Sequence, residues 1–260
     1  MLRFEGRAAV VTGAGAGIGR STALRLASEG GAVLVTDRDS ASAEGVCREI
    51  RDAGGKAEAL CVDVASEKDL EKSVTACVDA FGTLDVLVNN AGVAIPGSVT
   101  SLSVGDWQAV MDVNLRSMWL AMKFSIPAMA PRGGSIVNMS SCQALLGFPG
   151  WAGYAATKGA ILALTQQAAV EYAPVGIRVN AVAPGTIMTP MNEKIFAEAP
   201  DPDALVRSWG EQHALGRFGE PHEVAAAIAF LASDDASFIT GACLPVDGGM
   251  RILGPTGKAV

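Results

Sequence analysis

The stretch AAVVTGAGAGIGR, residues 8–20, decides the fold. It begins with small and apolar residues that are typical of a buried strand. A glycine-rich turn comes next, and a helical pattern follows it. In such a turn Gly13 allows a sharp change of direction, while Gly17 and Gly19 keep side-chain atoms away from a phosphate and from the sheet. The amide groups that open the helix then face the anion. The spacing is Gly-x-x-x-Gly-x-Gly rather than Gly-x-Gly-x-x-Gly, so the turn alone fits a phosphate loop and a plain tight turn equally.

Beyond this stretch the chain alternates short apolar runs with longer helical patterns. The apolar runs predict seven strands, at 7–13, 32–37, 57–64, 84–92, 134–141, 177–185 and 242–249. The helical patterns predict helices from the glycine turn to residue 26 and at 40–53, 66–81, 103–130, 152–172 and 221–233. Pro131 is expected to stop the helix at 103–130, and residues 188–216 are expected to be irregular or in short helices.

This alternation predicts an α/β fold. Strands that are apolar throughout suit a sheet that is buried on both faces, and strand–helix alternation implies parallel strands joined by right-handed crossovers. We therefore expect one domain over residues 1–260, a Rossmann-like doubly wound sheet of about seven mainly parallel strands with helices on both faces. Residues 188–216 would be its one large insertion. Ligands of such sheets bind at the carboxyl ends of the strands.

Composition excludes several classes of function. The net charge of −7 argues against binding to nucleic acid. No apolar run reaches about 18 residues, and the start of the chain lacks the apolar core of a signal peptide, so we expect a cytoplasmic protein without a membrane partner. No metal site is expected, because His213 and His222 lack carboxylates or cysteines at ligand spacing; both are interpreted as surface residues. Cys142 is interpreted as a small core residue, because no histidine base accompanies it.

Acidic and amide residues end the predicted strands. Asp37 follows Gly19 by 18 residues, where a carboxylate can accept hydrogen bonds from a ribose and repel a 2′-phosphate. This favours NAD over NADP, although Arg38 could soften the preference. Asp63 could reach the adenine. The amides of Asn89 and Asn90 could either bond a ribose or brace the backbone.

A tyrosine and a lysine share one face of the predicted helix at 152–172. Tyr154 precedes Lys158 by four residues, which is one helical turn. A cation about 4 Å away, at an effective dielectric of about 20, is worth up to about 4 kcal/mol, enough to lower a tyrosine pKa by as much as ~3 units. Tyr154 could then exchange a proton with an alcohol or carbonyl oxygen. Ser141, or its neighbour Ser140, could hold that oxygen, and Asn114 could anchor a water beside Lys158.

Together these residues resemble the short-chain dehydrogenase/reductase family, in its common single-domain subclass. The matching positions are Thr12-Gly13-x-x-x-Gly17-Ile18-Gly19, Asn89-Asn90-Ala91-Gly92, Asn114, Ser141, Tyr154-x-x-x-Lys158 and Pro184-Gly185. The resemblance covers essentially the whole chain. It implies Tyr154 as acid/base, Lys158 as its pKa-lowering and ribose-binding partner, Ser141 as the holder of the substrate oxygen and Asn114 as the holder of a relay water.

The resemblance also extends the expected cofactor site, with the backbone after Pro184-Gly185 gripping the nicotinamide carboxamide. The expected contacts are Gly13, Gly15, Gly17, Ile18, Gly19, Asp37, Arg38, Asp63, Val64, Asn90, Ala91, Gly92, Tyr154, Lys158, Pro184, Gly185, Ile187 and Thr189. A homodimer or homotetramer is implied, with the alanine-rich helix at 152–172 at an interface. Trp151, Trp209, Met188 and Met191 are expected either to line a substrate pocket or simply to pack.

The expected function is NAD-dependent hydride transfer between nicotinamide and a small secondary alcohol or ketone, with a sugar, polyol or cyclic alcohol as substrate. The enzymatic alternative is a 3-oxoacyl thioester reductase, which Asp37 disfavours because reductive biosynthesis usually draws on NADPH. The alternative from another class is a non-catalytic NAD-binding redox sensor. The complete set of Asn114, Ser141, Tyr154 and Lys158 argues against a sensor.

Overall fold

A single parallel sheet organises the chain in the computed structural model, which describes residues 2–254. Its strands, in chain order, are β1 Ala8–Thr12, β2 Ala32–Asp37, β3 Lys56–Cys61, β4 Val86–Asn89, β5 Gly134–Met139, β6 Ile177–Pro184 and β7 Cys243–Val246. They lie in the order β3-β2-β1-β4-β5-β6-β7, and every pair is parallel. The predicted seven-stranded, doubly wound Rossmann-like sheet is confirmed.

Helices cover both faces of this sheet. They are α1 Gly17–Ser28, α2 Ser40–Asp52, α3 Glu67–Phe81, α4 Val104–Met111, α5 Ser117–Met129, α6 Ala152–Tyr172, α7 Pro190–Ala197, α8 Pro202–Gly210 and α9 Pro221–Ala232. One core joins the sheet to α1, α2 and α9, and a second core joins it to α3, α5 and α6. Within residues 2–254, no helix has both the length and the apolar character needed to cross a bilayer.

The apolar strands serve both cores at once. Along β1, Ala9 and Val11 point into the first core, whereas Ala8 and Val10 point into the second. Adjacent strand residues face opposite sides of a sheet, so a strand covered on both sides must be apolar at every position. This is the physical reason that the strand pattern of the sequence predicts the fold.

The strands predicted at 57–64, 84–92 and 242–249 each end three residues early, and one predicted helix is irregular. The strand predicted at 57–64 ends at Cys61, and it lies at the edge of the sheet, where Lys56, Glu58 and Cys61 are exposed. The helix predicted at 103–130 is interrupted by a π-helical turn, Asp112–Arg116, and it ends at Met129 before Pro131 is reached.

The order of the strands places the site. From β1 the chain moves outward to β2 and β3, then returns to β4 beside β1 and moves outward the other way. The loops after β1 and β4 therefore diverge to opposite faces of the sheet and leave a crevice between them. A cavity of about 420 Å³ occupies this end of the sheet.

Candidate active site

The glycine loop between β1 and α1 is shaped by close backbone contacts. Gly13 has a φ of +62°, and a Cβ there would lie 2.9 Å from Ala91 Cα. A Cβ on Gly19 would lie 2.1 Å from the carbonyl oxygen of Gly13. No side chain caps α1, and Gly17 and Ile18 line the cavity, so the amides of the first turn are available to an anion. The loop therefore fits the pyrophosphate of a dinucleotide.

The predicted site residues come together around this cavity. All of them line it except Gly15, Gly19 and Asn114. Trp151, Trp209 and Met191 also line it, whereas Met188 does not. Val93, Phe148 and Gln143, which no sequence pattern singled out, belong to the lining as well. Val93 and Phe148 lie in loops and Gln143 lies in a short 3-10 turn, Cys142–Ala144, so the direction of their side chains has no periodic signature in the sequence.

Asn90 braces the loop rather than facing a ligand with its amide. Its Nδ2 donates to the carbonyl oxygens of Thr12 at 2.9 Å and Gly13 at 3.0 Å. Thr12 Oγ1 in turn accepts from the amides of Asn90 and Ala91. Asn89 is buried and donates to Asn138 Oδ1 at 2.8 Å. Of the two roles considered for these amides, the structure therefore supports the brace.

Asp37 stands at the far end of the cavity, at the end of β2. Its Oδ2 accepts from the Gly15 amide and its Oδ1 from the Asp39 amide, both at 3.0 Å. These two bonds fix the carboxylate at the cavity wall and leave lone pairs for a further donor. The exposed Arg38 and Asp63 line the same end.

Tyr154 and Lys158 project from α6 towards the ends of β4 and β5. Lys158 is 2% exposed, and its Nζ donates to the carbonyl oxygen of Met139 at 2.8 Å. The same Nζ lies 5.3 Å from the centre of the Tyr154 ring. Trp151 packs edge-on against that ring, with the centres 6.3 Å apart. The aromatic ring of Tyr154 is thus held between an amine and an indole.

Burial opposes charge on both members of this pair. Burial raises the pKa of Tyr154 from 10 to about 12, and the Ser141 hydroxyl opposes this only in part. Burial also lowers the pKa of Lys158 from 10.5 to about 7. The low-dielectric site therefore disfavours charge on both groups, and without a ligand it raises the tyrosine pKa rather than lowering it.

Ser140 and Ser141 are distinguished by their hydroxyl partners. Ser140 Oγ donates to the carbonyl oxygen of Lys158 at 2.9 Å, so its hydroxyl ties β5 to α6. Ser141 Oγ accepts from the Gln143 amide at 3.2 Å and faces the cavity beside Tyr154. Ser141 is therefore the hydroxyl placed to meet a ligand. The neighbouring Cys142 is 5% exposed, which confirms it as a small buried residue.

Asn114 lies in the π-helical turn and is completely buried. Its Oδ1 accepts from the Val93 amide at 2.8 Å, and its Nδ2 donates to the Val93 carbonyl at 2.9 Å. The side chain thus holds the loop after β4, and the water-anchoring role stays a prediction. The π-turn is the local irregularity that brings the asparagine to this loop.

His213 contradicts its interpretation as a surface residue, since it is 3% exposed. Its Nε2 accepts from the Thr186 amide and its Nδ1 donates to the Trp209 carbonyl, both at 3.0 Å. His222 is exposed on α9, as predicted. Within residues 2–254, no three His, Cys, Asp or Glu side chains cluster closely enough to hold a metal ion.

Comparison with known proteins agrees with this geometry. The family model described as enoyl-(acyl carrier protein) reductase matches residues 13–251. The cyclohexanol dehydrogenase of Acinetobacter sp. (strain SE19) is 43% identical over 95% of both chains. The 3-oxoacyl-[acyl-carrier-protein] reductase of Thermotoga maritima is 40% identical over 96% of this chain and all of that protein. The meso-2,3-butanediol dehydrogenase of Serratia marcescens is 39% identical, over 95% of this chain and 96% of that one.

The fold is also shared with a solved structure. A putative short-chain dehydrogenase/reductase from Burkholderia xenovorans superposes with a TM-score of 0.94 at 36% identity, covering 97% of this chain and 99% of that chain. The relatives with named activities are oxidoreductases of alcohols or of the corresponding carbonyl compounds. The chain is therefore a member of the short-chain dehydrogenase/reductase family, an alcohol dehydrogenase or ketone reductase that uses a nicotinamide cofactor.

Proposed function

We propose that the chain is an NAD-dependent dehydrogenase of small, uncharged secondary alcohols, acting in reverse on the corresponding ketones, with a cyclic alcohol as the favoured substrate. The observation that carries this proposal is the charge of the cavity wall. Its charged lining residues, among those described, are Asp37, Arg38, Asp63 and Lys158. The first three lie at the ends of β2 and β3, away from Tyr154, so the substrate end has no fixed charge to pair with an anionic substrate.

The substrate end is largely apolar. Its walls include Val93, Phe148, Trp151, Ile195 and Trp209, and its polar members besides Tyr154 include Ser141, Gln143, Asn192 and Gln212. Two of these residues, Ile195 and Trp209, belong to α7 and α8, which we propose as the substrate-binding insertion. Such a lining favours a compact hydrocarbon ring or chain over a sugar, whose many hydroxyls would need more polar partners. The relative named cyclohexanol dehydrogenase supports this substrate class.

Three side chains would perform the proton chemistry. Tyr154, as the phenolate, would take the proton of the alcohol at Oη, while Ser141 Oγ holds the substrate oxygen through a hydrogen bond. Lys158 Nζ, fixed by the Met139 carbonyl, lies beneath the tyrosine ring as an adjacent group that can accept a proton at neutral pH. The bound nicotinamide would supply the hydride acceptor and a positive charge that favours the tyrosinate.

The preference for NAD rests on Asp37. Two backbone amides fix its carboxylate at the cavity wall, where a ribose hydroxyl can donate to it and a 2′-phosphate would meet like charge. The same residue disfavours the second candidate, a 3-oxoacyl thioester reductase that uses NADPH. That candidate is supported by the relative from Thermotoga maritima, and the experiment below includes it.

The test is a screen of purified protein with NAD and NADP against cyclohexanol, 2,3-butanediol, a sugar alcohol and, in reverse, an acetoacetyl thioester. We expect the highest kcat/KM with NAD and the cyclic alcohol. Asp37→Ala should reduce the preference for NAD over NADP at least tenfold, whereas Asp79→Ala, an exposed change of equal charge on α3, should leave it unchanged. Fastest turnover of the thioester with NADPH would overturn the proposal.

A further inference from the structure

The contacts of His213 join two segments that line the cavity. Its Nε2 accepts the Thr186 amide at 3.0 Å, just after β6. Its Nδ1 lies 3.0 Å from the carbonyl oxygen of Trp209, at the end of α8. A backbone amide can only donate and a carbonyl can only accept, so the imidazole must be neutral with its proton on Nδ1. One buried ring therefore bridges the loop after β6 to the substrate-binding insertion.

The surroundings of His213 leave it little freedom to move. A Cβ on Gly185 would lie 2.8 Å from Nε2, so the ring sits directly against the backbone of the loop. On another side, a Cβ on Gly248 would lie 3.4 Å from the His213 Cβ. Phe218 meets the imidazole edge-on, with the ring centres 6.0 Å apart, and stacks on Phe196 at 5.3 Å. The histidine is thus a rigid support.

We propose that His213 is a positioning residue that fixes the backbone of residues 184–189 and thereby sets the affinity of the site for the nicotinamide half of the cofactor. This inference rests on the proposed function, in which that loop faces the nicotinamide. Gly185, Thr186 and Ile187 line the cavity, whereas His213 does not and acts through them. Among the described residues, His213 bonds Thr186 and Trp209 and not Asp37 or Asp63 at the adenosine end, so that end should be independent of it.

The experiment compares NADH with ADP-ribose, which lacks the nicotinamide, as ligands of the full-length protein. Titration calorimetry is run on wild type, His213→Gln, His213→Asn and His213→Leu. The glutamine amide can reach the Nε2 position and accept from Thr186, whereas the shorter asparagine amide matches Nδ1 and can serve only Trp209. The exposed His222, the chain's other histidine, provides the control variant His222→Asn.

We expect His213→Asn and His213→Leu to weaken NADH binding about tenfold, because the Thr186 amide is left without its acceptor. ADP-ribose should bind all variants within twofold of wild type, and His213→Gln should bind NADH within threefold of wild type. The role of His213 would be overturned if His213→Gln and His213→Asn lost NADH affinity equally, or if neither lost any. It would also be overturned if a variant lost affinity for ADP-ribose as much as for NADH. Failure of wild type to bind either ligand would instead overturn the proposed function.

If His213→Leu does not fold, the Gln and Asn variants alone decide the question. A further readout is the imidazole ¹⁵N spectrum of the wild type, with His222→Asn used for assignment. We expect His213 to show a protonated Nδ1 and an unprotonated Nε2 at neutral pH. A protonated Nε2 would contradict the bond from Thr186 and overturn the proposal.

Discussion

At the scale of single residues, burial decides the chemistry of Tyr154 and Lys158. Burial favours the neutral form of each side chain, so it raises the pKa of the phenol and lowers that of the amine. The proton positions of the pair then depend on what enters the cavity. A positively charged ligand beside the ring would favour the tyrosinate, which couples proton release to cofactor binding.

Tyr154→Phe tests the proton-transfer role. We expect kcat to fall about 10²–10⁴-fold, the range typical of losing a general acid or base, while NAD affinity stays within a few-fold. Steady-state kinetics and calorimetry measure the two quantities. The chain's other tyrosine, Tyr172 at the end of α6, supplies the control Tyr172→Phe, which should keep wild-type turnover. Retained turnover in Tyr154→Phe would rule out its assigned role.

Lys158→Met tests the burial of the amine through the pH dependence of stability. An exposed lysine in the unfolded chain keeps a pKa near 10.5, whereas the folded value is about 7. Between these values the unfolded chain holds more protons, so the free energy of unfolding of wild type should rise with pH, by at most about 1.4 kcal/mol per pH unit from this group.

The measurement is urea unfolding of both proteins from pH 7 to pH 10. The difference in unfolding free energy, wild type minus Lys158→Met, should increase across this range. A difference that is flat or falls with pH would show that the amine keeps its charge in the folded protein.

At the scale of elements, two helix irregularities shape the site. The uncapped start of α1 leaves amides for an anion, and the π-turn before α5 places Asn114 against the loop at Val93. Both features have a cause in the sequence. Glycines permit the uncapped start of α1, and the hydrogen bonds from Asn114 to the backbone of Val93 hold the π-turn against the loop. Only the glycine loop could be recognised from spacing.

Gly19→Ala tests the close approach within the glycine loop. The added Cβ would lie 2.1 Å from the Gly13 carbonyl oxygen, so the loop must shift. We expect a loss of about 1–3 kcal/mol in unfolding free energy, as for overpacked sites, together with weaker cofactor binding.

Gly45→Ala is the matched control for this change. Gly45 is exposed inside α2, and its Cβ would meet nothing within 4 Å. That variant should gain about 0.5–1 kcal/mol, because alanine is the better helix former. Equal effects of the two substitutions on stability and binding would contradict the proposed packing of the loop.

At the scale of the whole molecule, the sheet order gathers residues that are far apart in the chain. The end of β1 supplies the glycine loop, and the ends of β2, β4 and β5 supply Asp37, Asn90 and Ser141. The end of β6 supplies the backbone of Gly185, Thr186 and Ile187. The helices on the opposite side from α1 expose apolar side chains, with Trp119 on α5 49% exposed and Val170 on α6 77% exposed. Apolar residues on α5 and α6 fit the homodimer or homotetramer proposed from the sequence.

Trp119→Glu tests that assembly. We expect wild type to sediment as a dimer or larger, and Trp119→Glu to shift towards a smaller species, because the new charge would be buried in the contact. Sedimentation velocity measures the change. Leu2→Glu, an exposed apolar position near the end of α1, should leave the assembly intact. A monomeric wild type, or no shift in Trp119→Glu, would contradict an interface on α5.

Local periodicity and fixed spacing along the chain predict the sheet, the glycine loop and the candidate set of Asn114, Ser141, Tyr154 and Lys158, and the structure confirms the sheet. The same reasoning placed His213 at the surface, which is wrong because it is 3% exposed, and it could not predict that burial lowers the pKa of Lys158. Burial and charge depend on which distant segments meet: His213 is enclosed by Thr186, Phe218 and Gly248, and Lys158 by β5 and the loop after β4. Only the tertiary structure decides those contacts, because no local sequence pattern shows which distant side chains will shield one another from water.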